Sequence, residues 1–314
     1  MNNNWAELIE GLRSGGTRAL SRLITRVENR ETGWEGAMRA LYPDTGRARI
    51  FGITGSPGAG KSTLTRELSL VLLEKGLSIG IIAVDPSSPF SGGALLGDRL
   101  RMQELYEHPR VFIRSMATRG RMGGLCHAAR DVTRLMDAFG KDVILIETVG
   151  VGQDEIDIVR VADSVMVVCV PGQGDGIQAI KAGIMEIADF FVVNKADRDG
   201  AEELAADIAA MLELSTLADG LKPPVLKTSA LKKHGIRELA EAILAPRSRN
   251  RSMEKKNIRE EIMSLLEGEL SRRLHRTAAG DQRIERLVEM IAGRERDPYS
   301  AVDELFNDLL EKIK

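Results

Sequence analysis

The sequence predicts an α/β fold, a mostly parallel sheet with helices on both faces and with helical extensions at the N- and C-terminal ends. Three observations carry the prediction. Before about Arg47 the apolar residues recur near a period of 3.6, the spacing of an amphipathic helix. From Ala48 the pattern changes to short, near-continuous apolar runs, each followed by a loop and a helix-length segment. After Pro246 strand signals stop and helical periodicity returns.

In the first segment, residues 1–46, Ala19, Leu20, Leu23, Ile24 and Val27 form one apolar stripe, and Gly33, Gly36 and Pro43 interrupt it. The central segment, residues 47–245, holds the runs IFGIT, IGIIAV, VILIE, VMVVCV and FFVVN. Strands apolar at every position are buried on both faces, which calls for helices on each side of the sheet. Ligands on such sheets bind beyond the carboxyl ends of the strands. In the last segment, residues 246–314, the basic stretch RSRNRSMEKKN leads into helical patterns over 262–274, 284–291 and 301–313. Stripes such as Ile284, Leu287, Val288 and Ile291 must bury against the central domain or against a second copy of the chain.

At 314 residues, with 43% hydrophobic and 29% charged residues, the composition is that of an ordinary globular protein. A formal net charge of -2 offers no electrostatic case for nucleic acid or an anionic membrane as partner. The start MNNNWAELIEGL lacks the basic and apolar regions of a signal peptide, and no apolar run is long enough for a membrane helix, so a cytoplasmic location is expected. The two cysteines, Cys126 and Cys169, are expected to be unpaired thiols. Cys126 neighbours His127, yet the chain has no C-x-x-C and its four histidines are scattered, which speaks against a transition-metal site.

Gly55-Ser56-Pro57-Gly58-Ala59-Gly60-Lys61-Ser62, followed by Thr63, fits G-x-x-x-x-G-K-[ST] between an apolar strand and a helix-like segment. Glycines let such a loop turn its backbone N–H groups toward phosphates, and the helix N-terminus adds partial positive charge. Lys61 is then placed to reach the β- and γ-phosphates and Ser62 to offer a hydroxyl to Mg²⁺. A buried strand ends on Glu147, followed by Thr148, Val149 and Gly150, a pattern in which an acid addresses Mg²⁺ and a glycine N–H meets the γ-phosphate. Asp85 closes another strand and Asp98 lies in the glycine-rich loop after it, both candidates to act on the ion through water. Asp98 also suits a helix N-terminus.

Phe190 to Val193 deliver Asn194-Lys195-Ala196-Asp197, a fit to N-K-x-D. One carboxylate can accept both N1–H and the exocyclic amine of guanine, whereas adenine has no N1–H to give. Asp197 is therefore expected to select GTP over ATP. Thr228-Ser229-Ala230 follows a short strand, where a backbone N–H can meet the guanine oxygen.

Taken in order, GSPGAGKST, VDPSSPFSGGALLGDRLRM, the TRGRMGGL run from Thr118, ETVGVGQDE and PGQGDGIQAIKAGIMEIAD from Pro171 resemble the MeaB/ArgK-like GTPases, bacterial relatives of the human methylmalonic aciduria type A protein. The resemblance covers almost the whole chain. It implies a P-loop NTPase fold of the SIMIBI-like class. It also implies a GTP/GDP- and Mg²⁺-dependent chaperone for an adenosylcobalamin-dependent acyl-CoA mutase, most often methylmalonyl-CoA mutase, that gates cofactor loading and protects the enzyme. It further implies a homodimer formed through the C-terminal helical arm. Lys61, Asp85, Asp98 and Glu147 correspond to the family's nucleotide and metal site, and Asp175, Gln178 and Lys181 to a third switch that signals nucleotide state to the partner.

In Ras-like enzymes a glutamine after the switch II glycine orients the attacking water; here that position is Val151. An aliphatic side chain cannot hold a water, so slow turnover is expected until a partner or a loop rearrangement completes the site. Gln153 and Lys181 are candidate catalytic groups, with Arg119 or Arg121 as charge stabilisers. Three other readings stay open: a metallochaperone-type GTPase for another metalloenzyme, an ATP-dependent kinase associated with transport, and a binding module whose nucleotide is scarcely hydrolysed. The first would call for Cys/His ligands near the switches, and the second is opposed by Asn194-Lys195-Ala196-Asp197.

Overall fold

In the computed structural model the described residues are 4–85, 102–117, 124–148, 161–172, 188–214, 222–246, 251–278 and 282–313. They fall into two units, Met1–Pro246 and Arg247–Lys314.

The first unit is built on a sheet of strands β1 (Arg49–Gly55), β2 (Ile79–Asp85), β3 (Val111–Ala117), β4 (Val143–Glu147), β5 (Ser164–Cys169), β6 (Phe190–Val193) and β7 (Val225–Lys227). Their order is β3-β2-β4-β1-β5-β6-β7, and every pairing is parallel. Three helices precede the sheet: α1 (Trp5–Arg13), α2 (Thr17–Glu28) and α3 (Trp34–Leu41). Along the rest of the unit run α4 (Lys61–Glu74), α5 (Gln103–Tyr106), α6 (Gly124–Ala138), α7 (Ala201–Leu214) and α8 (Ile236–Leu244).

Alternate residues of each strand serve opposite faces, and both sets are apolar here. Val143 and Leu145, Met166 and Val168, and Phe190 and Val192 belong to one core, which they share with Leu64, Leu68 and Leu72 of α4 and with Ile236, Leu239 and Ile243 of α8. Their neighbours on the other face divide between two clusters. Ile82, Val84, Ile144 and Ile146 pack with α6 and with Leu12, Leu20, Leu23, Ile24 and Val27 of the first two helices. Val165, Val167, Phe191 and Val193 pack with Leu204, Ile208 and Leu212 of α7.

The N-terminal helices therefore form part of the covering layer of the sheet, and the amphipathic stripe from Leu20 to Val27 is what they bury. They are fastened by buried charges on α6. The carboxylate of Asp137, 5% exposed, accepts from the backbone N–H groups of Gly46, Arg47 and Ala48 at 2.5, 3.1 and 2.9 Å. Arg30 reaches Asp131 at 2.7 Å, and Arg114 of β3 pairs with Glu28 of α2.

Aspartates also anchor the starts of strands. Asp163 accepts from Ile50 N–H at 3.0 Å, Asp189 from Val165 N–H at 2.8 Å and Asp142 from Ser78 N–H at 2.7 Å. These contacts sit at the amino ends of the strands, opposite the edge that carries the motifs. Strand β3 is absent from the apolar runs of the sequence, because Arg114 and Ser115 interrupt its hydrophobicity.

The second unit consists of α9 (Arg251–Ala278), α10 (Gln282–Ala292) and α11 (Pro298–Ile313). Helix α9 begins at Arg251, inside the basic stretch expected to be a lead-in; long side chains such as Arg and Lys favour helix and need no apolar partner there. Asp297 caps α11 by accepting from Ser300 N–H at 2.9 Å and from its hydroxyl at 2.6 Å, and Pro298 follows at the first helical position. Ile258, Ile262, Leu265, Leu266 and Leu270 lie along α9, each at least 44% exposed.

Candidate functional site at the carboxyl edge of the sheet

The described motif residues gather at one edge because each follows the carboxyl end of a strand. The glycine-rich loop leaves β1, Glu147 ends β4, Asn194 follows β6 and Thr228 follows β7. β1 and β6 are separated only by β5, and neighbouring strands stand about 4.8 Å apart, so the loops after β1 and β6 are roughly 10 Å from each other.

Backbone geometry explains the glycines. Gly55 has φ 139°, and a Cβ there would lie 2.2 Å from the carbonyl oxygen of Val168 on β5. Gly60 has φ 88°, and its Cβ would lie 2.6 Å from Asn194 Nδ2. The loop can therefore press against β5 and against Asn194 only with hydrogen at these positions.

Lys61 opens α4 and is 6% exposed. Its Nζ donates to the carbonyls of Gly55 at 2.7 Å and Ser56 at 3.1 Å, so the ammonium is folded over its own loop. Ser62 Oγ donates to Glu147 Oε1 at 2.5 Å, and Glu147 is 6% exposed. A hydroxyl and a carboxylate are hard oxygen donors, the type that Mg²⁺ takes, so this pair fits the ion that the fold implies. Thr148 donates its N–H to Ile53 O at 3.1 Å and its hydroxyl to Thr54 at 3.3 Å. Asp85 ends β2 with its backbone in register with Ala117.

The Asn194–Asp197 segment is locked to the glycine-rich loop. Asn194, 2% exposed, donates from Nδ2 to Ala59 O at 2.8 Å. Its Oδ1 accepts from Ala230 N–H and from Thr228 Oγ1, each at 3.2 Å. Lys195, in a left-handed conformation at φ 56°, donates from Nζ to Gly58 O at 2.8 Å. Asn194 thus touches the loops after β1 and β7 at once, and sets their spacing.

Asp197 accepts from Ser229 Oγ at 2.5 Å and has Lys232 Nζ 3.4 Å from its other oxygen. The Ser229 hydrogen bond, helped by the nearby ammonium, holds its carboxyl below the ordinary aspartate range, so it is a charged acceptor. Cys169, at the end of β5, is buried and unpaired, and burial pushes its thiol up to about 12, which leaves it unreactive.

Gly55, Ser56, Pro57, Gly58, Ala59, Gly60, Lys61, Ser62, Thr63, Glu147, Asn194, Lys195, Asp197, Ser229 and Ala230 are thus brought to one edge. Asp98, Arg119, Arg121, Gly150, Val151, Gln153, Asp175, Gln178 and Lys181 lie outside the described residues. Lys232 is a member of the site that the motifs do not point to; of two adjacent lysines after Ala230, no spacing signal says which one turns back to Asp197. Among the described residues no group of three or more His, Cys, Asp or Glu side chains could hold a metal ion. Among them, too, no helix is long and apolar enough to cross a membrane.

Comparison with known proteins agrees with this geometry. Residues 20–278 match the family described as methylmalonyl Co-A mutase-associated GTPase MeaB. A putative GTPase of Pyrococcus abyssi is 46% identical over 97% of this chain and 96% of its own length. The mitochondrial methylmalonic aciduria type A homolog of Caenorhabditis elegans is 35% identical over 76% of this chain and 65% of its own. Among solved structures, that of LAO/AO transport system kinase superposes with a TM-score of 0.70 at 27% identity, covering 99% of each chain.

Proposed function

This chain belongs to the family of methylmalonyl-CoA mutase-associated GTPases and is a GTPase, and from that premise we propose that it serves as a nucleotide-driven chaperone of an adenosylcobalamin-dependent acyl-CoA mutase of the methylmalonyl-CoA mutase type. In this role it gates cofactor loading and protects the mutase. The family's name and the kinship with the nematode aciduria homolog support the client. The nucleotide chemistry rests on one observation: Asn194 ties the phosphate loop to the loop that carries Ser229 and Ala230, so phosphate and base readers form one rigid edge.

In the proposed cycle the backbone of 55–60 and Lys61 hold the phosphates, with Lys61 exchanging its contacts to Gly55 and Ser56 for phosphate oxygens. Ser62 and Glu147 would hold Mg²⁺, which would supply charge neutralisation at the phosphates, with Asp85 and Asp98 as further acids. Asp197 accepts from guanine, steadied by Ser229 and Lys232. Val151 cannot orient water, so hydrolysis is slow until the mutase binds, with Gln153, Lys181, Arg119 and Arg121 as the groups that then complete the site and Asp175, Gln178 and Lys181 as the signalling switch. Two copies associate through the C-terminal helices, whose exposed leucines and isoleucines on α9 give them an apolar face. The working compartment is the cytoplasm.

The superposed protein is called a transport system kinase, which suggests ATP-dependent phosphotransfer as a rival reading. The charged carboxylate of Asp197 opposes it, since adenine offers no N1–H. One measurement decides among these: the hydrolysis rates of GTP and ATP by the purified protein, with and without an adenosylcobalamin-dependent methylmalonyl-CoA mutase. GTP-specific stimulation is the expected result. Hydrolysis of GTP that the mutase leaves unchanged would remove the client, and a preference for ATP would remove the base reader.

A further inference from the structure

The phosphate loop and the base loop each run directly into a helix, and those two helices pack on one another. The first loop enters α4 at Lys61 and the second enters α8 at Ile236. Leu64, Leu68 and Leu72 share one apolar cluster with Ile236, Leu239 and Ala240. Beside this apolar seam runs a line of paired charges. Glu104 of α5 pairs with Arg66 of α4, and Arg66 pairs with its neighbour Glu67. Glu67 Oε2 in turn lies 3.7 Å from Lys233 Nζ of the base loop. The adjoining Lys232 ends the line on Asp197.

Glu67 is 5% exposed, and a carboxylate buried to that degree is costly unless cations answer it. Arg66 answers from the same helix and so fixes nothing at a distance. Lys233 answers from another element, and it does so from a left-handed backbone at φ 60°, a conformation rare for any residue but glycine. Its loop is stiff: Ser229 N–H donates to His234 O at 3.0 Å, and His234 N–H returns to Ser229 O at 3.1 Å. A displacement of Lys233 is therefore passed to Ser229, whose hydroxyl holds Asp197.

We propose that Glu67 and Lys233 are positioning residues for nucleobase selection: their ion pair fixes the base loop against the phosphate helix and so keeps Ser229 and Asp197 in register with the bound phosphates. The proposal rests on Asp197 being the guanine acceptor. A residue that merely stabilised α4 would weaken every phosphate-containing ligand alike. A positioning residue weakens only those that carry a base.

The test is the affinity of the full chain for GDP, ADP and inorganic pyrophosphate, in the wild type, Lys233→Met, Glu67→Gln and the double variant. Lys233→Met alters a side chain that is 69% exposed, so it keeps the test valid should Glu67→Gln fold poorly. The expected result is GDP bound about twofold to fivefold more weakly by each single variant, with pyrophosphate unchanged. The double variant should be no weaker than the worse single, since both remove one interaction. Unchanged GDP affinity in Lys233→Met, or equal loss of GDP and pyrophosphate, overturns the proposal. A wild type that does not prefer GDP to ADP removes the Asp197 reading and the proposal with it; a preference that both variants retain in full removes the proposal alone.

Discussion

At the scale of single residues, Asp197 is defined by its neighbours as much as by its motif. Its ionised oxygens face a serine hydroxyl and an ammonium, so the acceptor pair is set before a base arrives. Asp197→Asn presents a donor where guanine also donates. GTP should then bind on the order of a hundredfold more weakly, while xanthosine triphosphate gains; competition binding reads both. Ser229→Ala takes away the largest cause of the depressed carboxyl pKa. A depressed pKa keeps the acceptor charged to lower pH than an ordinary aspartate, and its contribution is lost as pH falls through the folded value. With alanine that loss moves upward toward the ordinary aspartate value, so the preference for GDP over ADP, followed from about pH 6 down through about pH 3, should fade at a higher pH than in the wild type. The glycines offer a stricter check. Gly55→Ala would push a methyl into the Val168 carbonyl at a φ open to glycine, so nucleotide binding should be abolished with the rest of the sheet intact by circular dichroism. These positions are legible because the P-loop motif is itself a record of where a backbone must pass without a Cβ. The partners of Asp197 are less so: Ser229 stands out only through its loop and Lys232 not at all, since a return contact across a closed loop leaves no periodicity.

At the scale of elements, legibility follows burial. Strands buried on both faces announce themselves as apolar runs, and their order along the chain places every motif at a carboxyl end. Strand β3 does not, because Arg114 within it is answered by Glu28 of α2, a partner far away in sequence. The same physics makes Asp137 the element-scale test. Its carboxylate satisfies three backbone N–H groups where the N-terminal helices hand over to β1. Asp137→Ala leaves all three without their acceptor, with only the Ala48 N–H in a buried place, and should cost about 1–3 kcal/mol in urea unfolding. Leu23→Ala, at a side chain with no exposure, should cost about 2–5 kcal/mol by the cavity it leaves. If the helices were a loose appendage, neither substitution would move the main transition.

At the scale of the whole molecule, the two units differ in what they leave uncovered. The first closes its faces with its own helices. The second displays apolar side chains along α9, and if the proposed dimer forms through that face, Leu266→Lys, at a residue 50% exposed, should keep the helices folded while shifting the protein from dimer to monomer in sedimentation. An unchanged sedimentation coefficient would mean that copies meet elsewhere or not at all. Periodicity reveals the presence of these helices but not the start of α9, because charged residues with good helix propensity look alike in a helix and in a linker. The placement of α1 to α3 over the sheet has a consequence for how the protein is made. A ribosome makes these helices before Phe112, Met116, Val132 and Ile146, which bury them. At about 5–20 residues per second the leucine face of α2 waits on the order of ten seconds for its cover. During each round of translation the leucine face of α2 is therefore without its sheet cover until β4 has been made.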